Sequence, residues 1–185
     1  RTFYDLGGPP IGFAMFWEGA RPPRRNYLEG ISVGGKLVAK VADFGTAREV
    51  SELLEGRGHH STQMVIGTRG YMPAEYANGQ VSDKTDTYAF GVVLCELLTG
   101  LLPVDGQGEV LATTMASVLA DAKRKLPPLL DKRTGRGERW PMARALALGR
   151  VAEQCIEMRV ADRCLVAEML PELDRLAGRK VVRRA

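Results

Sequence analysis

The sequence predicts a mainly α-helical domain entered through a small β-hairpin. Three observations carry this. Tyr88 to Leu98 is apolar on nearly every side, as only a helix buried at the centre of a core is. Two later stretches, Leu148 to Ile156 and Met169 to Leu176, repeat apolar residues at helical spacing. Near the front, Gly34-Gly35 separates two short apolar runs, and paired glycines supply the positive φ angles of a two-residue hairpin turn.

In chain order, residues 1–30 show no period and are broken by Gly7-Gly8-Pro9-Pro10 and Pro22-Pro23, so they read as irregular. Ile31 to Val33 and Lys36 to Val41 are the two expected hairpin strands. Residues 46–66 are polar and read as a mobile loop, and Tyr71 to Ala77 as a short helix. Ser82 to Thr85 offers polar N-caps for the buried helix, and Gly100 its C-cap. Val110 to Lys123 is a further helix, Leu126-Pro127-Pro128-Leu129 a rigid connector, and Pro141 a helix start. A last helix covers Leu165 to Leu176, with Pro171 implying a late start or a kink.

The 185 residues suffice for one domain with a sizeable core. The net charge of +4 is a matter of the C-terminus: Arg175, Arg179, Lys180, Arg183 and Arg184 lie in the last eleven residues, with no acid among them. Without those five the 26 basic residues become 21, against 22 acidic ones. Residues 179–185 therefore read as a solvated basic tail, not as a site for nucleic acid. Cys95, Cys155 and Cys164 form no Cys-x-x-Cys pair and read as separate buried thiols. No apolar run is long enough to span a membrane.

The functional signal lies between Lys40 and Glu75. Lys40-Val41-Ala42-Asp43-Phe44-Gly45 places a carboxylate and an aromatic ring at the end of a strand. Thirty residues on comes Gly67-Thr68-Arg69-Gly70-Tyr71-Met72-Pro73-Ala74-Glu75. The pair resembles the activation segment of a eukaryotic protein kinase, which opens on Asp-Phe-Gly and closes near Ala-Pro-Glu. Lys84-Thr85-Asp86-Thr87-Tyr88-Ala89-Phe90-Gly91 is similar to that family's Ser-Asp-x-Tyr-Ser-Phe-Gly pattern. Ala161-Asp162-Arg163-Cys164 resembles its Asp-Arg-Pro segment. The resemblance covers roughly residues 31–178, a kinase C-terminal lobe, and is nearest in flavour to plant receptor-like kinases and the Pelle or interleukin-receptor-associated group.

That resemblance implies ATP-dependent phosphorylation of protein Ser or Thr. Asp43 would hold the Mg²⁺ that bridges the ATP phosphates, because phosphoryl transfer needs that charge neutralised. Phe44 and Gly45 complete the opening of the segment, and Ser61 and Thr62 are its candidate phosphosites. Thr68, Gly70 and Tyr71 would shape the substrate loop, Thr68 pointing to Ser/Thr rather than Tyr substrates. Glu75 and Arg163 should form a buried pair. Asp86 should cap the buried helix and accept hydrogen bonds from the catalytic-loop backbone.

The upper positions depart from the family. No Gly-x-Gly-x-x-Gly loop occurs, and no Val-Ala-x-Lys strand precedes the hairpin. His-Arg-Asp belongs about 18 residues before Asp43, where the chain reads Arg24-Arg25-Asn26-Tyr27-Leu28-Glu29. Asn26 is at most a displaced remnant of the second metal ligand. The loss of pattern above residue 30 reads as a wrong exon or a truncated gene product. The expected partners are a protein substrate and a missing kinase upper lobe or regulatory protein. A cytoplasmic setting, free or as part of a membrane receptor, goes with the family. The alternative is a pseudokinase or binding module without catalysis.

Two lookalikes carry less. Gly30 to Lys36 fits Gly-x-x-x-x-Gly-Lys, but Leu37 stands where a magnesium-binding hydroxyl is required. His59 and His60 are adjacent and have no cysteine or carboxylate cluster to complete a metal site.

Overall fold

A computed structural model of the chain describes residues 69–132 and 140–178, together with the backbone of 13–16, 38–41 and 60–61. The elements in order are β1 (Phe13–Phe16), β2 (Val38–Val41), β3 (His60–Ser61), α1 (Ala74–Ala77), β4 (Gln80–Val81), α2 (Asp83–Thr99), α3 (Leu111–Leu119), α4 (Ala122–Lys125), a 3₁₀ turn (Pro127–Leu129), α5 (Met142–Cys155) and α6 (Val166–Leu176). The architecture is mainly helical, as the sequence predicts.

α2 is the post on which the other helices rest. Tyr88, Ala89, Val92, Leu94, Cys95 and Leu98 are all buried. At its start Thr85 Oγ1 accepts the Ser82 N–H at 3.1 Å, and the Ser82 carbonyl accepts the Thr85 N–H at 3.0 Å. At its end Gly100 takes φ +66°, open to glycine at little cost, and its N–H donates to the Glu96 carbonyl at 2.7 Å. α5 packs across α2 at Gly91 and against α3 at Gly149, so small residues let the helix axes approach. α3 buries Leu111, Ala112, Met115, Val118 and Leu119, one apolar stripe, and leaves Thr113 and Thr114 outside.

Several elements differ from the sequence reading. The described partner of β2 is β1, antiparallel with Phe13 opposite Val41 and Phe16 opposite Val38. The apolar run near residue 13, in a stretch read as irregular, thus finds its pairing at long range. The expected strand Ile31–Val33 lies outside the described residues. The loop read over 46–66 contains β3, which pairs with β4, His60 opposite Val81 and Ser61 opposite Gln80.

The helix expected over 110–123 is two helices. Val110 is extended and bridges Val104, which delays α3 to Leu111. Asp121 then leaves helical geometry at φ −135°. Its carboxylate accepts the Arg124 Nε–H at 2.7 Å and its carbonyl accepts the Lys125 N–H at 2.9 Å, starting a new turn. α6 runs through Pro171, which forgoes one backbone hydrogen bond. Among the described residues no helix is long and apolar enough to cross a membrane. The basic tail, 179–185, lies outside them.

Candidate functional site

The candidate site is the loop from Arg69 to Glu75 and the two anchors that hold it. Gly70 turns the chain at φ +96°. It presses against the loop after α2, where a Cβ would stand 2.8 Å from Val104 Cγ2 and 2.9 Å from the Pro103 carbonyl oxygen. Only glycine meets both conditions. Arg69, next to it, is exposed and reaches the Gly108 carbonyl at 3.4 Å.

Tyr71 is the first anchor. Its hydroxyl donates to Glu96 Oε2 at 2.8 Å, tying the loop to the last turn of α2. Burial pushes the Glu96 carboxyl up to about 7, and the Tyr71 hydrogen bond pulls it the other way. A carboxyl raised on folding contributes stability that is complete below its unfolded value and is lost as pH rises through its folded value. The stability contributed by Glu96 should therefore fall between its ordinary 4.5 and about 7. Thermal melts of the native chain and Glu96→Gln across that window test this. The native melting temperature should decline with pH more steeply than that of the variant. Parallel curves would reject it.

Arg163 is the second anchor and is completely enclosed. Its Nη1 donates to Glu75 Oε1 at 2.6 Å and to the Lys84 carbonyl at 3.0 Å; Nη2 donates to Glu75 Oε2 at 3.4 Å; Nε donates to the Glu157 carbonyl at 2.9 Å. The Tyr88 ring lies under the guanidinium, 5.0 Å from centroid to Cζ. A charge removed from water needs this full set of partners. Lys84 closes the arrangement from the other side, its Nζ donating to the carbonyls of Val160 at 3.0 Å and Ala161 at 3.1 Å. One clasp thus joins the end of the candidate substrate loop, the start of α2 and the turn before α6.

Asp86 is not the helix cap. Ser82 closes the helix one turn earlier, and Asp86 sits inside the first turn, where a carboxylate faces the positive end of the helix dipole. Burial first, and then the neighbouring Asp83, pushes its carboxyl up to about 6. Ser61 lies in β3. Asn26, Asp43, Phe44, Gly45, Thr62 and Thr68 lie outside the described residues. Among the described residues no cluster of His, Cys, Asp or Glu is arranged to hold a metal ion.

Glu96 and Lys84 are the residues sequence reasoning passed over. Glu96 carried a signal: it is the one acid in the apolar run from Tyr88 to Leu98, and a buried carboxyl needs a partner. Lys84 carried none, since its acceptors are backbone carbonyls that any residue supplies.

The sequence model of the protein kinase domain family matches residues 31–172. The chain is 37% identical over 179 residues to the serine/threonine-protein kinase PBS1 of Arabidopsis thaliana, covering 92% of this chain and 38% of that protein. It is 40% identical over 174 residues to the receptor-like serine/threonine-protein kinase ALE2 of the same plant, covering 90% and 22%. Over 145 residues it is 35% identical to the wall-associated receptor kinase-like 17, covering 76% and 18%. The chain spans well under half the length of each of these relatives.

Proposed function

Because the chain belongs to the protein kinase family, in the receptor-like or Pelle group, we propose that it is the substrate-side lobe of a protein serine/threonine kinase and that it transfers no phosphate alone. The observation that carries this reading is the clasp of Arg163 on Glu75, whose use is to hold the 69–75 loop in one position against α2. A loop pinned at Tyr71 and again at Glu75 is a surface on which a peptide hydroxyl can be presented repeatably, and positioning is a large part of catalysis of phosphoryl transfer.

In this reading residues 31–178 are the partial kinase domain. Asp43, two residues beyond the end of β2, would supply a hard carboxylate oxygen to magnesium, whose charge would offset that of the ATP phosphates. Bound Mg-ATP would supply the phosphoryl group. Asn26 is a further metal-ligand candidate on chemistry alone. Phe44 and Gly45 would complete the opening of the activation segment with Asp43, and Thr68 would help shape the substrate loop. Ser61 and Thr62 are hydroxyls for regulatory phosphorylation in the same segment. The partners are a protein substrate and an upper lobe, or a regulatory protein, that brings the base and the nucleotide-positioning lysine. The setting is cytoplasmic, free or on the inner side of a receptor.

Two phosphotransfer measurements test the proposal. The chain with Mg-ATP and a generic Ser/Thr protein substrate should give no labelled product. Joined in frame behind the upper half of a receptor-like kinase, it should phosphorylate Ser or Thr, and Asp43→Asn should cut that rate by at least about 10²-fold, the scale of losing an electrostatic catalytic group. Turnover by the chain alone would sink the first claim. A folded chimera that is inactive, or is indifferent to Asp43→Asn, would favour a binding module.

A further inference from the structure

Two of the three cysteines, separate in the sequence reading, meet in the fold. Cys155 is the last residue of α5 and is fully buried. Cys164 lies on the turn before α6 and is partly exposed. The Cys164 N–H donates to the carbonyl of Gln154 at 3.3 Å. Gln154 directly precedes Cys155, so this bond brings the backbone at Cys164 up against the end of α5 beside Cys155. The Cys155 thiol donates to Met169 Sδ at 2.7 Å and also lies within hydrogen-bonding reach of the Cys164 sulfur.

We propose that Cys155 and Cys164 are an oxidation site, forming a reversible intrachain disulfide with a peroxide as the oxidant. Cys164, the more exposed sulfur, loses its proton and attacks one peroxide oxygen. The O–O bond breaks, the departing hydroxide takes up the proton as water, and Cys164 becomes a sulfenic acid. The Cys155 sulfur then attacks Cys164 Sγ, the S–O bond breaks, and the second hydroxide leaves as water with the Cys155 proton. Two thiols and one hydrogen peroxide thus become one disulfide and two waters.

The order of the two sulfurs follows from their surroundings. Burial pushes both thiols up, so little thiolate is present at neutral pH and the first step is slow. The hydrogen bond from Cys155 acts the other way on Cys164 and favours its thiolate. The bond closes the loop from Ile156 to Arg163. That loop holds Arg163 itself, the Glu157 carbonyl it binds, and the Val160 and Ala161 carbonyls that Lys84 binds. Oxidation would therefore lock the clasp that fixes Glu75.

The test is peptide mapping of the full chain treated with hydrogen peroxide, alkylated and digested without reductant. Trypsin cuts after Arg159 and Arg163, so the two cysteines leave on separate peptides unless they are joined. The expected product is a linked Cys155–Cys164 pair, two hydrogens lighter than its parts and released by dithiothreitol. Cys164→Ser, conservative at a partly exposed position, should keep the native melt and lose the linked product. Oxidation of Cys164 onward to the sulfinic or sulfonic acid with no linkage would overturn the proposal. So would a bridge that runs through Cys95 or between chains. Amide exchange over 156–163 should slow on oxidation; unchanged exchange would remove the claim that the bond locks the clasp.

Discussion

Arg163→Ala should destabilise the chain by roughly 3–5 kcal/mol, the cost of leaving a buried charge without its partner. Glu75 would keep its carboxylate in a site that is 8% exposed and lose both bonds to it. The carbonyls of Glu157 and Lys84 would lose their donor as well. A domain of this size is stable by about 5–15 kcal/mol, so a loss of this size removes a large share of its margin. A urea denaturation curve followed by circular dichroism is the measurement, and the midpoint should fall steeply. Arg163→Lys should fall between, because a single ammonium cannot reproduce the forked donor set. The pair Glu75→Leu with Arg163→Met should recover part of the loss, since no buried charge is left behind. A midpoint that does not move in Arg163→Ala would mean the clasp contributes nothing to the folded state.

Gly91→Ala should be the second large effect, and its sign runs against helix propensity. In an exposed helix interior alanine is preferred over glycine by about 1 kcal/mol. Here the added Cβ would stand 2.5 Å from Cys155 Cβ, 2.8 Å from Ile156 Cγ2 and 3.1 Å from the Cys155 carbonyl carbon. Two of these three atoms belong to the rigid end of α5, so the helices must separate. Overpacking of this kind costs about 1–3 kcal/mol, which exceeds the propensity gain. Gly106→Ala is the control, because nothing lies within 4 Å of the Cβ it adds. Denaturation curves should place Gly91→Ala well below the native chain and Gly106→Ala close to it. Equal midpoints for the two variants would show that α2 and α5 are not in contact at Gly91.

Both effects depend on partners distant in the chain, which bears on how far the molecule could be read from its residues. α2 was legible because every cause of it is local: an apolar run, a polar start at Ser82 and a glycine at position 100. The family was legible because its motifs are short and ordered, Asp43-Phe44-Gly45 before Glu75 before Asp86 before Arg163. The pairing of Glu75 with Arg163 came from that resemblance, not from spacing. The split of α3 from α4 was hidden, because it depends on a backbone bridge between Val104 and Val110 and on the side chain of Asp121 answering Arg124. β1 was hidden for a similar reason: Phe13 to Phe16 is too short to announce a strand without its partner at Val38 to Val41.

The sequence by itself determined a buried central helix with its two ends, a set of amphipathic helices around it, and the kinase family to which they belong. Tertiary structure alone decided that Tyr71 bonds Glu96, that Lys84 and Tyr88 join Arg163 at the clasp, and that Cys155 lies against Cys164. The physical reason is range. Helix periodicity and capping act within a few residues, whereas a buried polar group is satisfied by whatever the packing of whole helices brings to it.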